Sequence, residues 1–114
     1  MMNNLKEKLE ISKWLYEKGF EPDMWWRAGA LVPKHMSNES SKPYFTLNRV
    51  LELLPERLPN DDDQSLFITK TRAAYITANQ HLFLWVENKD TELAALRLLK
   101  QVVEAGYLKG ENDE

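Results

Sequence analysis

Two helical patterns in this chain stop in the same way, on a glycine followed by an aromatic residue: Glu17-Lys18-Gly19-Phe20 near the start and Glu104-Ala105-Gly106-Tyr107 near the end. Glycine just past a helix adopts the left-handed conformation without a Cβ clash, and an apolar residue after it folds back on the last turn. The chain therefore has a helix near each end, and everything else must fit between them. The upstream pattern places Leu5, Leu9 and Tyr16 on one face, widened by Ile11 and Leu15, with Trp14 on its flank. Pro22 opposes any restart of that helix.

Between the two stops the pattern changes to β. Met24–Val32 carries the adjacent Trp25 and Trp26, which point to opposite faces if the segment is extended; Gly29 splits it into one bulged strand or a tight hairpin. Pro33–Pro43 reads as a polar, mobile loop. Thr46 is an N-cap for a helix with Leu47, Val50, Leu51 and Leu54 on one face, closed by Pro55. Three strands follow: Ser65–Lys70, a turn at Thr71-Arg72, Ala74–Thr77, a break at Asn79-Gln80, and His81–Glu87. The last strand is apolar on both faces, with Leu82, Leu84 and Val86 one way and Phe83 and Trp85 the other. Such a strand is expected to be central or covered on both sides. Asp90 or Thr91 caps a final helix whose apolar arc is broad enough to lie between layers or to meet a partner. The expected fold is α+β in the order α-β-α-β-β-β-α, a mainly antiparallel sheet packed by three helices as a two-layer or α-β-α sandwich.

Length and composition narrow the class. A chain of 114 residues reads as one α+β domain over 1–114, with a flexible acidic tail from about 109 that holds Glu111, Asp113 and Glu114. Without cysteine there is no disulfide, thiolate metal site or cysteine nucleophile. The N-terminus lacks the apolar core of a signal peptide, and Leu82–Val86 is too short to span a bilayer, so a cytoplasmic location and no membrane contact are expected. The net charge of −3 argues against a dedicated DNA binder, although the middle of the chain is mildly basic.

The residues that could carry chemistry are sparse. His35 and His81 stand outside any metal-ligand spacing. Asp61-Asp62-Asp63 lacks the glycine and glutamate of an EF-hand loop and reads as solvated surface. No serine sits in a Gly-x-Ser-x-Gly elbow, and four glycines form no phosphate-binding loop. Accordingly no catalytic residue, metal or cofactor is expected, and the chain reads as a non-enzyme. The aromatic residues are the remaining signal. Trp25 and Trp26 cannot face one layer, so one is exposed or at an interface, and Arg27, Lys34 and Lys42 lie near them in sequence. These five residues are the expected binding site. Its occupant is a protein partner or a second copy, with the tryptophan pair and the last helix as contact surfaces. The alternative is a nucleic-acid-binding accessory, since basic residues with aromatics stack on single strands.

Glu17–Phe20, Thr46-Leu47-Asn48-Arg49-Val50-Leu51-Glu52-Leu53-Leu54-Pro55 and Glu104-Ala105-Gly106 together resemble a family of small uncharacterised phage and prophage proteins, similar to the phage α-β-α sandwich domain. The resemblance covers nearly the whole chain; the polar insert at Ser37–Ser41 and the tryptophan pair depart from it. It implies no catalytic residues and a mobile-element accessory that works as a binding or assembly module.

Overall fold

The computed structural model describes residues 2–59, 64–77, 79 and 81–111; the Asp61–Asp63 block and the end of the acidic tail lie outside the described residues. Helix α1 spans Met2–Glu17 and buries Ile11, Ser12 and Leu15, while Tyr16 is exposed. The core-facing stripe is thus rotated from the expected Leu5-Leu9-Tyr16 line. Ser12 is tolerated inside because its Oγ accepts the Phe45 N–H at 3.1 Å, which satisfies both groups. Both glycine stops close as expected. Phe20 N–H reaches Leu15 O at 3.2 Å and Gly19 N–H reaches Tyr16 O at 3.0 Å, with Gly19 at φ 100°. Tyr107 N–H reaches Val102 O at 3.1 Å and Gly106 N–H reaches Val103 O at 3.0 Å, with Gly106 at φ 85°. This paired pattern is the Schellman motif at both sites.

The strands form two antiparallel sheets of three. In the first, β1 (Met24–Arg27) lies between β2 (Ala30–Val32) and β3 (Lys42–Tyr44). Gly29 therefore marks a tight hairpin: Arg27 pairs with Ala30 around Ala28 at φ 50° and Gly29 at φ 85°, both in the left-handed region that a two-residue hairpin turn requires. The polar loop after Pro33 has structure of its own. Lys34–Met36 is a 3₁₀ turn, and Asn38 Oδ1 accepts from Ser40 N–H at 3.0 Å while Asn38 N–H donates to Ser41 Oγ at 2.9 Å. Its end becomes β3, where Pro43 pairs opposite Trp25 at the edge of the sheet. An edge strand is where proline is admissible.

Helix α2 (Leu47–Leu53) is capped by Thr46 and ends before Pro55, as its sequence predicts. The second sheet has the order β4 (Ser65–Ile68), β5 (Arg72–Ile76), β6 (Leu82–Glu87). The β4–β5 turn lies at Lys70-Thr71, one residue earlier than expected, because Thr69 N–H bonds Arg72 O at 2.8 Å and draws Arg72 into the strand. Helix α3 (Thr91–Glu104) starts on Asp90, whose carboxylate accepts the Leu93 N–H at 3.1 Å. It packs on β5, β6, α1 and α2, with Leu93, Ala94, Ala95, Leu96, Leu98, Leu99, Val102 and Val103 all buried. The broad apolar arc of the last helix is therefore used within the fold. Beyond α3 the chain turns back, and Gly110 sits so close to the end of α1 that a Cβ there would lie 2.1 Å from Lys18 O. Among the described residues no helix is long and apolar enough to cross a membrane.

Candidate functional site

Each strand of the second sheet alternates between two faces. On the inner face the cross-strand rows Ile68–Ala73–Val86 and Leu66–Tyr75–Leu84 join the core beneath α3. Tyr75 is fully buried, and its hydroxyl donates to Pro55 O at 2.6 Å. The outer face carries the row Phe67–Ala74–Trp85. Ala74 is fully buried between its two neighbours, yet Phe67 is 45% and Trp85 49% exposed. Phe83, also exposed, stands at the irregular end of β6 with its ring edge-on to Tyr107, centroids 6.1 Å apart. Beside Trp85 on this face, Arg72 pairs with Glu87 at 2.7 Å and leaves the rim of the patch electrically neutral. No described element packs over the outer face, so three large rings meet solvent on one sheet of a small domain.

The five residues expected from the sequence are dispersed around the first sheet. Trp25, opposite Val32 and Pro43, turns toward α1 and meets Tyr16 edge-on, centroids 5.4 Å apart at 77°. It lines a groove of about 630 Å³ between α1 and β3, together with Tyr16, Leu9, Pro43 and Lys42. Trp26 belongs to the other face, opposite Leu31 and Lys42. Both tryptophans are half-buried. Arg27 braces the loop, its guanidinium donating to Met36 O at 2.8 Å, and Lys34 lies exposed in the 3₁₀ turn. Trp25, Trp26 and Lys42 are thus neighbours in one sheet, while Arg27 and Lys34 serve or occupy the adjoining loop.

A second groove, about 680 Å³, runs between α1 and α3 past Trp14, over whose ring Lys18 and Lys100 lie at 5.3 and 5.5 Å. The charged groups there are paired across the helices. Arg97 forks onto both oxygens of Glu7, the Nη2 contact being 2.6 Å, and this hydrogen bond holds the Glu7 carboxyl below its ordinary range. Nearby, Lys8 Nζ bridges Asp90 at 2.8 Å and Glu92 at 3.2 Å. Glu92 in turn accepts from the Tyr44 hydroxyl and from Leu47 N–H at 3.1 Å. Burial opposes ionisation of Asp90, but the bonds from Lys8, Leu93 N–H and Asn4 outweigh it, and its carboxyl titrates lower than usual. Burial and the Glu92 carboxylate push the Tyr44 hydroxyl upward. These perturbed groups tie α1, β3, α2 and α3 together, and their charges are used in that joint.

Among the described residues, no group of three histidine, cysteine, aspartate or glutamate side chains is placed to hold a metal ion. Comparison with known proteins finds no matching family model, no similar curated protein and no similar solved structure.

The exposed aromatic row had a signature in the sequence. β6 is apolar on both faces, which predicts a strand covered on both sides, but it lies at the edge of its sheet and only its inner face is covered. The missing layer is what exposes Trp85. Sequence order drew attention to Trp25 and Trp26 because they are adjacent, whereas exposure is decided by which face α3 occupies.

Proposed function

We propose that this chain is a non-enzymatic protein-contact module, an accessory of a phage or other mobile element that works in the cytoplasm through the outer face of β4–β5–β6. The observation that carries the reading is the row Phe67–Ala74–Trp85, in which two large aromatic rings are nearly half exposed with no described element above them. Exposed aromatic clusters with a polar rim are characteristic of protein interfaces, where tryptophan contributes most per residue. The non-enzymatic part rests on the use of the perturbed ionisable groups: Glu7, Lys8, Asp90 and Arg97 are held in interhelical pairs. Nucleic-acid binding has less behind it, because Arg27 is committed to Met36 O and Lys34 stands apart from the tryptophans.

The test uses two face variants, Phe67→Lys and Trp85→Lys, whose fold is checked by circular dichroism. Partners captured from the host by the wild-type chain are purified and titrated against all three proteins. The reading expects at least a tenfold loss of affinity in both variants. A purified partner that binds the variants as it binds the wild type overturns it, as does a wild-type chain that neither self-associates nor yields a partner.

A further inference from the structure

The two sheets have four outer edges, and three of them are blunted. At β4 the chain itself covers the edge: Leu66 N–H donates to Glu56 O at 2.8 Å, Leu58 N–H to Gln64 O at 3.2 Å, and Arg57 bridges Ser65. β3 carries Pro43, which has no N–H to offer. β2 is only three residues long and runs into the 3₁₀ turn. β6 differs: it has six residues, no strand pairs with its outer edge among the described residues, and Leu82–Val86 contains neither proline nor charge. Asn88 N–H donates to Thr71 O at 2.9 Å, which sets the main-chain alternation along the strand. Asn88, Val86 and Leu84 direct their groups at β5, so Trp85 and Glu87 direct theirs outward. The strand register breaks between Tyr75 and Ile76, so the regular open stretch runs from Leu84 to Glu87.

We propose that β6 pairs antiparallel with β6 of a second copy of this chain, about a two-fold axis at Val86, to make one continuous six-stranded sheet. This goes beyond the reading of the outer face of β4–β5–β6 as the contact surface: the pairing uses the edge of the sheet and leaves that face open to a partner. In this register Trp85 lies opposite Glu87 of the second copy, and the two residues exchange main-chain hydrogen bonds in both directions, satisfying the outward groups of each strand. The row Phe67–Ala74–Trp85 of one copy then continues into Glu87 and Arg72 of the other, and the two aromatic rows share one face, offset by two residues. Charge favours a second copy here. Each Glu87 arrives already paired with its own Arg72, so the edges meet as neutral surfaces with no like charges directly opposite, although each chain carries −3 overall. The contact is short, and its area falls below the roughly 1,600 Å² of a standard stable interface, so the dimer forms with concentration and is not obligate.

The test is made on the full chain from about 10 µM to about 1 mM, a range chosen for weak association. Sedimentation velocity is expected to show the wild type moving from monomer to dimer. Phe67→Lys, on the face but away from the edge, should dimerise like the wild type. Glu87→Pro removes an outward N–H and leaves the β5 ladder intact, and should remain monomeric. Should that variant fail to fold, amide exchange on the wild type decides: Trp85 and Glu87 amides gain protection at least tenfold with concentration, while Leu84 and Val86 amides, bonded to β5, do not change. A wild type that is monomeric throughout overturns the pairing, as do Trp85 and Glu87 amides that exchange equally fast at both concentrations. Dimers lost in Phe67→Lys but kept in Glu87→Pro would also overturn it, in favour of face-to-face packing, and would leave the contact face itself standing.

Discussion

The two sheets have three antiparallel strands each, one with its first strand at the centre and the other a simple meander, and they carry their aromatic residues differently. In β2–β1–β3 the tryptophans are partly absorbed by the fold: Trp25 leans on Tyr16 of α1, and Trp26 lies among Leu31 and Lys42. In β4–β5–β6 the inner face packs under α3 along β5 and β6, and the outer face leaves Phe67 and Trp85 in solvent. The difference shows that an aromatic pair adjacent in sequence is a weaker sign of a contact surface than an aromatic row across strands. Adjacent residues in a strand go to opposite faces, whereas cross-strand neighbours share one.

The sharpest way to break this comparison is to attack the closed face of the second sheet. Tyr75→Ala removes a fully buried ring and its bond to Pro55 O, and is expected to cost about 4 kcal/mol by urea denaturation. A loss near that for Trp26→Ala, half-buried in the first sheet, would show that the two sheets are closed equally well; about half of it or less is expected.

The helix stops come next. Gly106→Ala has open space for its methyl group but keeps a left-handed φ, so the cost is about 1 kcal/mol of strain alone. Gly110→Ala must move the Lys18 carbonyl or itself, and should cost more, about 2 kcal/mol. Thermal melts of both variants rank them, and the reverse order would remove the packing of the chain end on α1.

The joint between the halves should show in acid. The carboxyls of Asp90 and Glu7 titrate below their ordinary values, so the unfolded chain binds protons more readily. Their contribution is complete above the ordinary pKa values, 3.8 and 4.5, and is lost as pH falls through the lowered ones. Asp90→Asn, which keeps an N-cap, is expected to reduce the loss of unfolding free energy below about pH 4 by about 1 kcal/mol, read from urea denaturation across pH. An unchanged acid limb would mean that Lys8 and Asp90 do not couple α1 to α3 in solution. The smallest effect belongs to the open face: Phe67→Lys should alter stability by less than about 0.5 kcal/mol, since the ring has little to leave. A larger loss would mean that Phe67 shields Ala74 as a structural residue.

Much of the fold was legible. The glycine stops, the caps at Thr46 and Asp90, the end of α2 at Pro55 and the element order are local properties, written within a few residues of where they act. β3 was not, because three residues containing a proline carry no strand pattern and acquire one only by pairing with β1. The division into two sheets was hidden for the same reason, as was the rotation of the buried stripe of α1 onto Ser12, whose hydroxyl depends on Phe45, 33 positions away. For the candidate site, the residue pattern assigned the last strand two apolar faces, but the strict alternation of cross-strand rows expected from Leu82 onward begins only at Leu84, because the register break pairs Leu82 with Ile76 and leaves Phe83 unpaired.

What the sequence by itself determined is where elements start, stop and alternate, because backbone conformation, capping and side-chain period are set by near neighbours. The tertiary structure alone decided which alternating face is covered. α3 has one apolar arc and can close one side of β4–β5–β6, and the choice depends on how α1, α2 and the first sheet surround it. Exposure of Trp85, and with it the contact surface, follows from that single placement.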